Sequence, residues 1–163
     1  MFYLNLFKAL NVHEIDYLLI VGLAMNLHGV PRMTMDVDLV IALDSGNISK
    51  LISCVNELGL HPSVPVKLED LADKTKCDAL FLEKNLIALS LISDTPAIPT
   101  VDIVIHHPLN FQQAFAKKVE RDLSGTPVML ACIEDMITLK KAAGRAQDLS
   151  DIKHLERFLN ERK

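Results

Sequence analysis

The 163-residue chain has three cysteines, no tryptophan, six glycines and no excess of positive charge. Cys54, Cys77 and Cys132 are odd in number and widely spaced, which gives neither a disulfide framework nor a metal-ligand pattern and predicts reduced thiols. Seventeen basic against 21 acidic residues leave a net charge of −4, so no overall basic field is available to hold a nucleic-acid backbone. That argues against a long RNA or DNA substrate, leaving only a local basic patch around Lys140, Lys141 and Arg145. No apolar run reaches the roughly 18–20 residues of a membrane-spanning helix. The longest, Tyr17 to Met25, is bracketed by Asp16 and Asn26 and reads as a buried strand feeding a helix. Nothing near Met1 has the basic region and small-residue cleavage site of a secretory signal, so a cytoplasmic protein without membrane association is expected. Repeats, low-complexity tracts and long linkers are also missing. Half the residues are hydrophobic and the mean hydropathy is +0.24. One domain over residues 1–163 can bury a sizeable core, and the apolar surplus points weakly to the interface of a homo-oligomer.

What the chain does have is a charged strand. Arg32-Met33-Thr34-Met35-Asp36-Val37-Asp38-Leu39-Val40-Ile41 alternates with period two, as a β-strand does. Val37, Leu39 and Ile41 then face a core, while Arg32, Thr34, Asp36 and Asp38 share the other face. Two carboxylates so close repel each other, and burying them unpaired is costly. A divalent cation between them is the economical remedy, and oxygen-only ligation suits Mg²⁺ or Mn²⁺ better than zinc. Thr100-Val101-Asp102-Ile103-Val104-Ile105 is a second β-type run. If the two strands are neighbours, Asp36, Asp38 and Asp102 can hold metal ions that clamp a triphosphate and activate an attacking oxygen. The bland alternative is that Asp-x-Asp is the solvent face of an edge strand, and only the surrounding sequence can decide.

The rest of the chain reads as mixed α/β. Helices are predicted over 2–12, 22–28, 45–58 (closed by Gly59), 111–118, 133–143 and 148–160. Strands are predicted over 17–21, 36–43, 86–92, 100–106 and 128–131, the last after a turn at Gly125-Thr126-Pro127. Residues 62–84, interrupted by Pro62 and Pro65, suggest one exposed helix or two short ones.

Tyr17 to Asp38, ending in His28-Gly29-Val30-Pro31-Arg32-Met33-Thr34-Met35-Asp36-Val37-Asp38, resembles the opening of the nucleotidyltransferase superfamily. The nearest likeness is to its minimal bacterial and archaeal branch, which includes the AbiEii-type proteins. The segment from Glu134 to Ile152, with Lys140, Arg145, Asp148 and Asp151, resembles the family's C-terminal signature. The resemblance implies a mixed β-sheet flanked by helices, with C-terminal helices. It implies transfer of a nucleoside monophosphate from an NTP, ATP or CTP, to an acceptor hydroxyl with Mg²⁺ or Mn²⁺. Asp36, Asp38 and Asp102 would be the catalytic and metal-binding residues, and Gly22, Arg32, Thr34, Lys140 and Arg145 would bind the nucleotide. The acceptor could be a protein, a tRNA end or a small molecule such as an antibiotic. Where the family commonly has two glycines this chain has Val21-Gly22. Val21 either sits harmlessly at the strand end while Gly22 makes the turn, or marks lost catalysis. The alternative function is therefore an inactive nucleotide-binding or regulatory protein, such as a toxin–antitoxin component.

Several residues have competing readings. Lys140 is either a surface lysine or, as the resemblance implies, a phosphate contact whose loss leaves the melting temperature nearly unchanged. Asp148 and Asp151 suit capping of the last helix, and Asp148 could also pair with Lys140 or Arg145. Arg32 is read as a partner of the aspartates or as a phosphate contact. His28 is read as packing, His106 as bordering the site on Asp102's face, and His107 as uninvolved.

Overall fold

The computed structural model describes residues 1–161; Arg162 and Lys163 lie outside it. Tyr17–Ile20 (β1) is buried at every position and so reads as an unbroken apolar run rather than an alternation. It lies inside a seven-stranded sheet with Val37–Ile41 (β2), Leu60–Pro62 (β3), Ala88–Ser93 (β4), Val101–Val104 (β5), Val119–Leu123 (β6) and Thr126–Leu130 (β7). The order is β3-β4-β5-β2-β1-β7-β6. Only β2–β5 and β1–β7 are parallel, and the other neighbours run antiparallel. Leu18, Leu19, Val37, Val40, Leu89, Ile103 and Leu130 are fully enclosed and mark the core.

The helices are Phe2–Val12 (α1), Val21–His28 (α2), Ser45–Leu58 (α3), Lys74–Lys84 (α4), Phe111–Ala116 (α5), Ile133–Ala143 (α6) and Ala146–Glu161 (α7), with a 3₁₀ turn at Leu68–Ala72. α1 buries Leu6, Phe7 and Leu10, the apolar stripe of its sequence. α3 is capped by Asp44, whose side chain accepts the Asn47 amide, and is stopped by Gly59 at φ 70°. Among the described residues no helix is long and apolar enough to cross a membrane.

Two strands escaped the sequence reading. β3 has three residues and ends on Pro62, too short to show a period. β6 forms a hairpin with β7 through Ser124-Gly125, both at positive φ, and its alternation of Val119, Arg121 and Leu123 with Glu120 and Asp122 was the available signal. The predicted turn at Gly125-Thr126-Pro127 is thus one residue pair late: Thr126 and Pro127 already belong to β7. The segment 62–84 resolves into the 3₁₀ turn and α4, the second of the two options expected there.

Candidate active site

Parallel pairing of β2 with β5 sets Val37 beside Val101, Asp38 beside Asp102 and Leu39 beside Ile103. Residues in register on neighbouring strands share a face, so the second aspartate of the charged strand and Asp102 emerge side by side. Asp36 precedes β2 by one residue, and its Oδ1 accepts the Thr100 amide at 3.3 Å. Burial, then Asp102, then Asp36 push the Asp38 carboxyl up from 3.8 to about 6, against partial relief from Lys140 and Arg145. Asp102 and Asp36 thus both act on Asp38.

Two of them are already oriented by neutral donors. Ser90, directly opposite Asp102 in the β4–β5 pairing, donates its hydroxyl to Asp102 Oδ1 at 2.6 Å. Sequence reasoning missed Ser90; its signal was a single hydroxyl within the apolar run Leu86 to Ile92. Among the described residues no three His, Cys, Asp or Glu side chains are gathered into a ready metal cage. Asp36 is bonded to the Thr100 amide and Asp102 to the Ser90 hydroxyl, each through its Oδ1. The donor chemistry itself, three carboxylates with no nitrogen or sulfur, fits a hard divalent cation.

Ile20 pairs with Asp38 across β1–β2, which starts α2 next to the aspartates. The first amides of a helix have no partner within it. The turn into α2 is made by Val21, at φ 65°, and not by Gly22 as expected. A β-branched residue in left-handed backbone is a strained arrangement, of the kind that gathers at functional sites. Gly22 is needed for a different reason: a Cβ there would lie 2.8 Å from Thr34 Cβ and 2.9 Å from Thr34 Oγ1. Thr34 thus occupies the space that a side chain at position 22 would need.

Behind Asp38 lies a cationic counterpart built by α6 and α7. Lys140 is 4% exposed, and its Nζ lies 2.9 Å from Asp151 Oδ2 and 3.6 Å from Asp148 Oδ1. Arg145 reaches Asp148 with Nε at 2.7 Å and its backbone amide at 3.1 Å, the second contact being the reciprocal half of a capping box. Arg32 Nε stands 3.4 Å from Asp151 Oδ1, so its carboxylate partner is Asp151 rather than Asp36 or Asp38. Burial raises the Asp148 and Asp151 carboxyls, but hydrogen bonds from Arg145 and Lys140 respectively outweigh it and hold both below the ordinary value. The idea that Lys140 can be lost without cost to folding does not survive this burial, since its removal takes the enclosed ammonium from Asp151 Oδ2 and leaves that oxygen without a donor. Arg145, with a side chain 73% exposed, is the cation open to a ligand.

The histidines stand apart from this group. His28 is buried and its Nε2 lies 2.9 Å from the Ala131 carbonyl oxygen, a packing role as expected. β5 stops at Val104, so pleat parity no longer ties His106 to Asp102. His106 instead stacks on Phe81, with ring centroids 3.5 Å apart. It lines a surface cavity of about 460 Å³ with Leu43, Leu71, Lys74, Cys77 and His107, at the other end of β2 and β5 from the aspartates.

No protein-family model matches the chain. No curated protein matches it in sequence. Solved structures do match in shape. A lincosamide antibiotic adenylyltransferase with lincomycin bound superposes with a TM-score of 0.59 at 14% identity, over 93% of this chain and 92% of the other. The aminoglycoside enzyme ANT(2″)-Ia, in complex with adenylyl-2″-tobramycin, gives 0.59 at 13% identity over 96% and 87%. A Thermotoga maritima protein assigned to the nucleotidyltransferases gives 0.54 at 14% identity over 96% and 89%. At such identities the likeness speaks for architecture, and it agrees with the mixed sheet and flanking helices: the chain has the nucleotidyltransferase fold.

Proposed function

We propose that this chain, as one unit over residues 1–163 and within the minimal AbiEii-like branch, is a metal-dependent nucleotidyltransferase. The observation that carries the reading is the register of Asp38 with Asp102, with Asp36 close enough to help raise Asp38. Folding has concentrated negative charge at one sheet position, and a cation is what such a cluster can use. Mg²⁺ or Mn²⁺ would be held by Asp36, Asp38 and Asp102. When bound, it supplies charge neutralisation for the triphosphate and acidifies the acceptor hydroxyl. Arg145 and Arg32 contact phosphate oxygens, Lys140 adds its charge from within, and the α2 amides at Gly22, beside Thr34, favour the same anion. Asp102 takes the proton from the acceptor hydroxyl. The acceptor oxygen bonds to the α-phosphorus, the α–β phosphoanhydride bond breaks and pyrophosphate leaves. The adenylyl group and the antibiotics named for two structural neighbours support ATP over CTP and a small-molecule hydroxyl as acceptor.

A second reading, a nucleotide-binding or regulatory protein without transfer activity, is favoured by one observation: Val21 occupies the left-handed position at the turn. Calorimetric titration of ATP and CTP with and without Mg²⁺, repeated on Asp38→Ala, tests the metal site common to both. Metal-dependent binding lost in the variant supports the site, and incubation of ATP with acceptor panels then reads pyrophosphate release. Nucleotide binding that ignores both Mg²⁺ and Asp38→Ala would refute the enzyme assignment.

A further inference from the structure

We propose that Ser90 is a positioning residue for Asp102, an assignment that rests on the metal-dependent reading above. β4 alternates Leu89 and Leu91 into the core with Ala88, Ser90 and Ile92 on the partly open face. Serine is a weak strand former, and nothing in core packing calls for a hydroxyl at this point. Its partner explains it. Ser90 and Asp102 stand directly opposite each other, and 2.6 Å is the separation of an O–H···O⁻ bond strengthened by the ionised acceptor. A carboxylate on a strand can otherwise rotate about its side-chain bonds. With Oδ1 tied to Ser90, the plane of the group is fixed and Oδ2 is left for a cation or an acceptor hydroxyl. Asp36 is steadied in the same way by the Thr100 amide, whereas Asp38, in register with Asp102, has no protein hydrogen-bond donor among the described residues. Two ligands are thus set by the protein and the third is left to be set by the ion. Partners of this kind orient metal ligands, and their removal typically weakens metal affinity about 10–100-fold.

The experiment uses the full chain, with Mn²⁺ plus a non-hydrolysable ATP analogue as probe and electron paramagnetic resonance to measure bound metal. Ser90→Ala should bind Mn²⁺ about 10–100-fold more weakly, with a melting temperature close to that of the parent. Ser90→Thr, which keeps the hydroxyl, should restore parent-like binding. A merely structural serine would shift the melting temperature and leave the affinity of the folded fraction unchanged. Parent-like affinity in Ser90→Ala, or equal weakness in Ser90→Ala and Ser90→Thr, overturns the assignment while the metal site stands. A parent chain that takes up no Mn²⁺, with Asp102→Asn behaving identically, overturns both.

Discussion

Replacing Asp38 by asparagine should make the metal-free protein more stable while removing its metal response. The side chain keeps its size and gives up no protein hydrogen bond. What it loses is charge. Burial and the neighbouring Asp102 and Asp36 raise the Asp38 carboxyl from 3.8 to about 6, and each pKa unit corresponds to about 1.4 kcal/mol. The shift sets a ceiling of roughly 3 kcal/mol, and solvent reaching the partly buried Asp38 side chain reduces it to about 1–2 kcal/mol. The sign follows from linkage: a carboxyl whose pKa is higher folded than unfolded costs nothing below about pH 4. The cost grows between pH 4 and 6 and is complete above that. For a domain of this size the gain in Asp38→Asn should be about 2–8 °C in melting temperature at pH 7.5 in EDTA, fading to nothing at pH 4. Adding Mn²⁺ should raise the melting temperature of the parent and leave the variant where it is, because only a ligand of the folded state stabilises it. Scanning fluorimetry from pH 4 to 8 reads both effects. A variant less stable than the parent at pH 7.5, or a difference that ignores pH, refutes the reasoning.

Lys140→Ala should lower stability in urea unfolding by about 1–3 kcal/mol, since it leaves the buried Asp151 Oδ2 without its donor although Arg145, Gln147 and Arg32 still hold the rest of the two carboxylates, while exposed Lys141→Ala stays within about 0.5 kcal/mol; equal effects would remove Lys140 from its place. At Val21 the usual ranking should invert. Glycine in a helix normally costs about 0.5–1 kcal/mol relative to alanine, but at φ 65° Val21→Gly should be more stable than Val21→Ala by roughly 1 kcal/mol in thermal melts. Gly22→Ala should cost about 1–3 kcal/mol through its collision with Thr34, and a double-mutant cycle with Thr34→Gly should recover most of it. Purely additive losses would place the clash elsewhere.

The central strands and most helices were legible because their periods were complete. Helix 133–143 is found where it was expected, anchored by Ile133, Met136 and Ile137. β1 was legible for the opposite reason, an apolar run too short for a membrane and ended by a turn. What failed was local in another sense. β6 carries glutamate and aspartate at the sheet edge, where the hairpin rather than burial decides the structure. Register is also hidden from sequence: Asp36, Asp38 and Asp102 could be nominated, but only strand pairing reveals that Ser90 faces one of them. The turn at Val21 could not be read either, because glycine at the next position is the natural choice for positive φ. The space Thr34 demands is a tertiary fact.

The least expected feature is the enclosed charge behind the site, and its cost argues for a purpose. A buried ion pair is rarely worth more than apolar residues of the same shape, so Lys140, Asp148 and Asp151 are poorly explained as a stabilising device. Their arrangement is better explained by what hangs from it. Asp148 grips Arg145 by side chain and backbone, and Asp151 accepts from Lys140 and Gln147 while facing Arg32. Two carboxylates thereby fix two guanidinium groups from different parts of the chain, one before β2 and one at the α6–α7 junction. Lys140 keeps Asp151 below the ordinary carboxyl range, and Arg145, with a smaller share from Lys140, does the same for Asp148. Three cations against two anions leave this cluster net positive on the side of Asp38, where Lys140 and Arg145 are felt. The acidic group and the cationic group are then two halves of one electrostatic arrangement. Loosening either should be felt at Asp38 before it is felt in the core.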